Sequence, residues 1–308
     1  MRSLQPMLMT LLLVAGGTTL AQAPAEPKRE SQRAPDEREA LALAAMEGLM
    51  QQSPERALPI IKKVLAGSQT TLVKKRALFV LSQIDSPEAE QILLQTARSP
   101  DAALRSEAIR SIGIGGHDKS LAALQEVYNT GDADVKSQVL HAWMIAGRKQ
   151  EVYQAALNAK SEDEAGDAIH MLSVMGAVEE LRKLGERPNA PGKLVEAYAI
   201  SGDLQSLRKI AESNADASVR AEAVRKIGII DNDAARSALR EIYGKSANDE
   251  IKDAALQGML ISGDEQGVLA LYKGATTTDE KRTLLRTLMM MDGDAALQAI
   301  DAALEDKK

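Results

Sequence analysis

Residues 104–128, LRSEAIRSIGIGGHDKSLAALQEVY, return 115 positions later as VRAEAVRKIGIIDNDAARSALREIY, residues 219–243. Twelve of the 25 positions are identical, and most others keep their character. This self-similarity constrains the fold more than any single motif. A unit too small to bury its own apolar face becomes stable only by stacking on copies of itself. Each copy reads as a helix, a glycine turn and a second helix.

The turn residues carry the period along the chain. Asp85, Gly116, Gly147, Gly176, Gly202, Asp231, Gly263 and Gly293 share one register, at intervals of 31, 31, 29, 26, 29, 32 and 30 residues. Each closes the first helix of a pair, where a left-handed residue is often needed and Gly or Asp supplies it. Fifteen residues before each stand Thr70, Asp101, Asp132, Ser161, Arg187, Asp216, Asn248 and Thr278. All but Arg187 are preferred helix N-caps.

Apolar columns fall between cap and turn. Seven before the turn are Leu78, Ile109, Leu140, Ile169, Val195, Val224 and Leu256, with Arg286 in the last unit. Four before it are Leu81, Ile112, Trp143, Leu172, Tyr198, Ile227, Met259 and Met289. Both are helix-spaced and predict a continuous core between layers. A third column, two before the turn, is assigned to the same core: Gln83, Ile114, Ile145, Val174, Ile200, Ile229, Ile261 and Met291. The second helices add Leu93, Leu124, Ala155, Leu184, Ile210, Leu239 and Leu271, and Asp301 in the same place marks a polar end cap. Lys74, Arg105, Lys136, Arg220, Lys252 and Arg282 lie four residues after their caps. Asp101/Arg105, Asp132/Lys136 and Asp216/Arg220 are spaced for i,i+4 ion pairs, and the same cations can reach the neighbouring unit. Ahead of the array, periodicity starts at Asp36, with Leu41, Ala45 and Leu49 on one face. Ser53-Pro54 opens a second helix that Pro59 should kink.

Composition agrees with an all-α chain. Only 2% of residues are aromatic, and Ala and Leu, both strong helix formers, dominate. Cysteine is absent, which excludes disulfides, thiolate metal sites and thiol catalysis. The net charge of −6 argues against nucleic acid as the main partner. At the N-terminus, Arg2, the apolar run Met7–Val14 and Ala21, Ala23 and Ala25 read as a secretory signal peptide over 1–25. A proline-rich charged linker follows over 26–35. No later run approaches a membrane span. The expectation is a periplasmic or secreted protein that is not lipidated.

The pattern D-x-x-x-R-x-E-A-x-R-x-x-G, at 101–113 and 216–228, resembles HEAT repeats. The roughly 30-residue period and the Asp/Arg pair are most similar to the short subtype named after phycobilisome lyases. The resemblance implies a right-handed α-solenoid of about nine hairpins over 36–308, with first helices outside and second helices lining the concave side. It also implies that the curved surface binds a protein or peptide. The unit at 187–213 departs from the pattern: Arg187 replaces the cap, the interval shrinks to 26, and Pro188 and Pro191 interrupt. A bend in the stack is expected there.

The residues that carry chemistry elsewhere read as structural here. His141 and His170 share a column whose other members are Phe79, Arg110, Glu196, Arg225, Gln257 and Thr287, so a half-exposed polar position explains them better than zinc. His117 stands in a turn. Met289, Met290 and Met291 point about 100° apart and cannot converge on one ion. Gly113-Ile114-Gly115-Gly116 follows a helix, not the strand a phosphate loop needs. No catalytic residue, cofactor or metal is expected, and the reading is a non-enzymatic scaffold. A bilin-lyase-like enzyme and a purely structural spacer are the alternatives. Partner-binding residues are placed on the second helices, at Glu126, Glu151, Glu179, Arg208 and Arg240, within about 118–244.

Overall fold

The structure, a computed structural model, describes residues 34–187, 192–291 and 293–305. The expected signal peptide, all but the end of the linker, and Pro188 and Pro191 lie outside the described residues. Within them, eighteen α-helices form nine hairpins. The first helices are α1 (Glu37–Leu49), α3 (Thr71–Ser82), α5 (Ala102–Gly115), α7 (Ala133–Ile145), α9 (Glu162–Val174), α11 (Leu194–Ile200), α13 (Ala217–Ile227), α15 (Asp249–Ile261) and α17 (Thr278–Met291). The second helices are α2 (Pro54–Ala66), α4 (Pro87–Thr96), α6 (Asp118–Thr130), α8 (Lys149–Leu157), α10 (Val178–Gly185), α12 (Leu204–Ala211), α14 (Asp233–Lys245), α16 (Glu265–Gly274) and α18 (Asp294–Glu305). Each hairpin stacks on the next, giving an α-solenoid.

Caps and turns set the helix ends much as the spacing predicts. Thr70, Asp101, Asp132, Ser161 and Asn248 accept hydrogen bonds from the free N–H groups of the first turn. Two positions differ. Asp216 occupies the cap site of α13 but its carboxylate makes no capping bond. In the last pair it is Thr277, one residue earlier than expected, whose hydroxyl receives the N–H of Glu280. Left-handed backbone follows at Gly116 (φ 70°) and at Asp231 (φ 43°), the sole non-glycine with positive φ among the described residues. Asp85 closes its turn without it. Pro59 lies inside α2 without ending it.

The two deeper columns form the core. Leu78, Leu81, Ile109, Ile112, Leu140, Trp143, Ile169 and Leu172 are fully buried, and the Trp143 indole N–H reaches the carbonyl of Leu121 at 3.1 Å. The third column does not join them. Ile114, Ile145, Val174, Ile200, Ile229 and Ile261 are all exposed. The cause is helix geometry: residues two apart are turned by about 200°, so a column two beyond a buried one must face away. For the same reason α1 buries Met46 and Leu49, while Leu41 and Ala45 stay in solvent. Met289 is exposed, and among the described residues no further first helix packs on α17. Leu297 and Leu304 are exposed beside Asp301, so the last turns are only partly polar.

The basic column does not pair with the caps. Arg105 donates to the carbonyl of Ser99 (3.1 Å) and Arg220 to that of Ala211 (2.9 Å), closing the preceding unit. Lys136 instead crosses to Glu164 of the next first helix at 2.8 Å. The Tyr128 hydroxyl donates to the same carboxylate (3.2 Å), and the ammonium sits 5.4 Å from the Tyr128 ring centre. The second copy repeats the arrangement: Tyr243 to Glu280 at 3.2 Å, Lys252 to Glu280 at 3.8 Å, and Lys252 5.2 Å from the Tyr243 ring.

The two layers are unequally spaced. Along α3, α5 and α7, and again at α13 and α15, first helices meet backbone to backbone. A Cβ on Gly113 would lie 2.8 Å from both the Cα and the carbonyl oxygen of Ala142, and one on Gly228 would lie 2.7 Å from the Cα of Gly258. Second helices stand further apart. Long side chains bridge them: Lys62 to Glu88, Arg98 to Glu126 (2.6 Å), Arg148 to Asp118, Arg182 to Asp203 (2.7 Å), Arg208 to Glu241 (2.9 Å) and Arg240 to Asp264 (3.2 Å). The first helices are therefore the more closely packed layer.

Candidate functional site

Ile114, Ile145, Val174, Ile200 and Ile261 lie at or next to the last residue of five first helices, Ile229 lies in the 3-10 turn (Gly228–Ile230) that follows α13, and each of the six is 36–54% exposed. Single exposed aliphatics are ordinary on any protein surface. Six at one register, on neighbouring helices of one face, are a continuous apolar stripe, and such patches mark interaction sites. Packed helices lie about 8–10 Å apart, so the stripe runs roughly 50 Å. A polar column four residues back lies on the same helix faces: Arg110, His141, His170, Glu196, Arg225 and Gln257. It carries both signs of charge, and Arg225 holds Gln257 across the helix gap at 2.5 Å.

The stripe is interrupted in depth at α11. This helix has seven residues, where its neighbours α9 and α13 have 13 and 11. A groove of about 370 Å³ opens between α9 and α11, walled by Asp163, Asp167, His170, Lys193, Glu196 and Ile200. A larger one of about 850 Å³ opens on the other side, where α11 meets α12 and α13. Val195 and Ile210, whose column partners are mostly buried elsewhere, are half-exposed in its wall beside exposed Val219. Truncation of α11 has thus uncovered core positions. Gly185 holds this unit together, because any Cβ there would collide with the Tyr198 hydroxyl, which donates to the Leu181 carbonyl at 3.2 Å. Burial pushes the Tyr198 phenol up, and the Asp203 charge adds to it. Asp203 itself is buried. Its desolvation favours the neutral acid, but two bonds from Arg182 (2.7 and 2.8 Å) and two from Ser206 outweigh that and hold its carboxyl below the usual range.

The residues predicted for partner binding lie on the other layer. Glu126, Glu151, Glu179, Arg208 and Arg240 fall on α6, α8, α10, α12 and α14, one on each. The structure does not bring them together as a free surface: Glu126 pairs with Arg98, Glu151 with Arg148 (3.7 Å), Glu179 with Arg182 (3.4 Å), Arg208 with Glu241 and Arg240 with Asp264. Three of these five pairs tie adjacent second helices. His141 and His170 are exposed on neighbouring first helices and join no group of three metal-ligating side chains among the described residues.

Comparison with known proteins agrees with this architecture. Residues 58–143 match the family model described as HEAT repeats. The HEAT-repeat match covers those residues, and the same helical hairpin recurs through the described residues on either side of them. No curated protein matches the chain. Human deoxyhypusine hydroxylase, solved in complex with glycerol, is 13% identical over 82% of this chain and 98% of its own, with a TM-score of 0.33. The CpcE–CpcF complex of phycocyanin lyase from a Nostoc species is 16% identical over 89% and 100%, with a TM-score of 0.34. An engineered protein is 18% identical over 86% and 87%, with a TM-score of 0.33. At those scores the three carry no argument about activity. No helix among the described residues is long and apolar enough to cross a membrane.

Proposed function

We propose that this protein is an exported, non-enzymatic HEAT-repeat scaffold that binds a protein or peptide along its first-helix face. The observation that carries the reading is the apolar stripe from Ile114 to Ile261, six aliphatic side chains kept in water by a fold with ample room to bury them. Export rests on the Met7–Val14 run and the alanines after it.

Rungs about 10 Å apart suit a partner whose apolar side chains recur at that interval. Every third residue of an extended polyproline-type segment does so, at about 3.1 Å per residue. So does every seventh residue of an amphipathic helix, at about 1.5 Å per residue. The mixed charges of the flanking column suit a polar rim and offer no basic track for a polyanion.

The test is capture from periplasmic extract with the chain lacking residues 1–25, followed by hydrogen-exchange mapping with the captured partner. Protection is expected on α5, α7, α9, α11, α13 and α15. Ile145→Asp with Val174→Asp should abolish capture, and Arg208→Glu should leave it intact. Capture that survives the double aspartate variant, or protection confined to the second helices around Glu126 and Arg208, refutes the assignment. A coloured covalent adduct in place of a stoichiometric protein would refute the non-enzymatic reading.

A further inference from the structure

The turn edge of the array holds a cluster that neither the stripe nor the core uses. Asp85, in the turn between α3 and α4, Glu90, in the first turn of α4, and His117, in the turn between α5 and α6, each place a ligating atom within 4.8 Å of the other two. The three come from two adjacent repeats, with His117 27 residues after Glu90 and 32 after Asp85.

Groups outside the cluster orient two of its members. His117 Nε2 lies 3.3 Å from the carbonyl oxygen of Ser82, which can only accept. Nε2 therefore carries the proton, and Nδ1 keeps a free lone pair. Metal-ligating histidines are typically fixed this way, with the second nitrogen donating to a backbone carbonyl. Glu90 is held by the Ser120 hydroxyl through Oε2 (3.1 Å), which leaves Oε1 available. The repeat copy supplies a contrast. Asn232, the counterpart of His117, caps α14 by accepting the N–H of Ala235, whereas His117 makes no capping bond and turns its ring toward Ser82. Among the described residues, neither Asp85 nor Glu90 has a Lys, Arg or His side chain in ion-pair contact other than the cluster's own His117.

We propose that Asp85, Glu90 and His117 form a divalent transition-metal site, of the zinc type, that clamps two neighbouring repeats. One imidazole and two carboxylates make a neutral complex with a dication and leave a fourth tetrahedral position for water. Hard oxygen-only ions fit less well, because imidazole nitrogen favours zinc, nickel or copper over magnesium or calcium.

The experiment uses the whole described array, purified without a histidine tag and stripped with chelator, and titrates zinc against a chromophoric competitor. Wild type should bind one equivalent, and cobalt in its place should give the intense visible bands of a tetrahedral site. His117→Asn, which installs the residue used in the other copy, should weaken zinc at least tenfold, as should Asp85→Asn, with melting of the metal-free protein unchanged. Ser120→Ala should weaken it by about tenfold. His141→Ala and His170→Ala should change nothing. Wild type that binds less than stoichiometric zinc overturns the proposal. So does zinc binding that survives both His117→Asn and Asp85→Asn, or that falls instead with His141 or His170.

Discussion

Substituting Gly113 by alanine tests the close first-helix contact most directly. In an exposed helix interior the change stabilises by up to about 1 kcal/mol, because glycine pays more backbone entropy on folding. Here the new Cβ would sit 2.8 Å from the Cα and carbonyl oxygen of Ala142, and 3.0 Å from its Cβ. Ordinary contact begins near 3.4 Å, so α5 and α7 must separate by about half an ångström. The obstructing atoms are backbone and cannot swing aside. Overpacking of this kind costs about 1–3 kcal/mol. With the backbone immobile the upper part of that range applies, and the net loss is about 1–2 kcal/mol. Gly244→Ala is the control, since nothing lies within 4 Å of its Cβ position, and it should stabilise by about 0.5 kcal/mol. Urea unfolding followed by circular dichroism measures both, with midpoints compared at constant m. A Gly113→Ala midpoint equal to or above wild type would refute the argument that backbone contact sets the spacing of the first-helix layer.

Four further outcomes follow from the same geometry. Asp132→Ala should cost about 1 kcal/mol through its lost capping bond, whereas Asp216→Ala should cost a few tenths at most, and parallel melts decide it. Arg182→Ala leaves the Asp203 carboxylate buried without its main partner and should cost about 2 kcal/mol, against less than about 0.5 kcal/mol for Arg98→Ala, whose pair with Glu126 is exposed. Burial raises the Glu164 carboxyl, but bonds from Lys136, the Lys160 N–H and Tyr128 together hold it below its ordinary 4.5. Its contribution to stability is therefore present above that pH and is lost as pH falls through the lowered folded value, and Glu164→Gln should flatten the acid limb of the melting curve. Ile145→Asp should leave the melting temperature within about 0.5 kcal/mol of wild type in stability terms, since a surface rung carries binding and not packing.

The period, the caps and the glycine turns were legible in the sequence because each is a local requirement met by a short list of residue types. Burial in the columns of Leu78 and Leu81 was legible for the same reason. What periodicity alone did not separate was an apolar column that packs from one that faces water. Ile114 and Ile145 look like core by composition, and only their 200° offset from Ile112 and Trp143 reveals otherwise. The close packing of the first-helix layer was not readable either, because it depends on how closely Gly113 and Gly228 admit the next helix. The five charged residues chosen for binding were exposed in a helical projection, but for Glu126, Arg208 and Arg240 the partners that engage them, such as Glu241 and Asp264, come from an adjacent unit and cannot be seen within one. The triad of Tyr128, Lys136 and Glu164 was half visible. Lys136 was in place, and the recurrence of Glu at the same offset and of Tyr within one residue of it in the second copy was the signal that would have completed it.

The unequal bridging of the two layers has a mechanical consequence. Where α5 meets α7 and α13 meets α15, the first-helix rail is joined by backbone contact and cannot shorten without breaking van der Waals packing. The second-helix rail is joined by flexible arginine and lysine struts, which can extend and which salt weakens. Bending strain at those junctions therefore falls on the second-helix rail. A molecule seated on Ile114 and Ile145, or on Ile229 and Ile261, would meet rungs of fixed pitch, while the opposite edge opens and closes like the pleats of a fan.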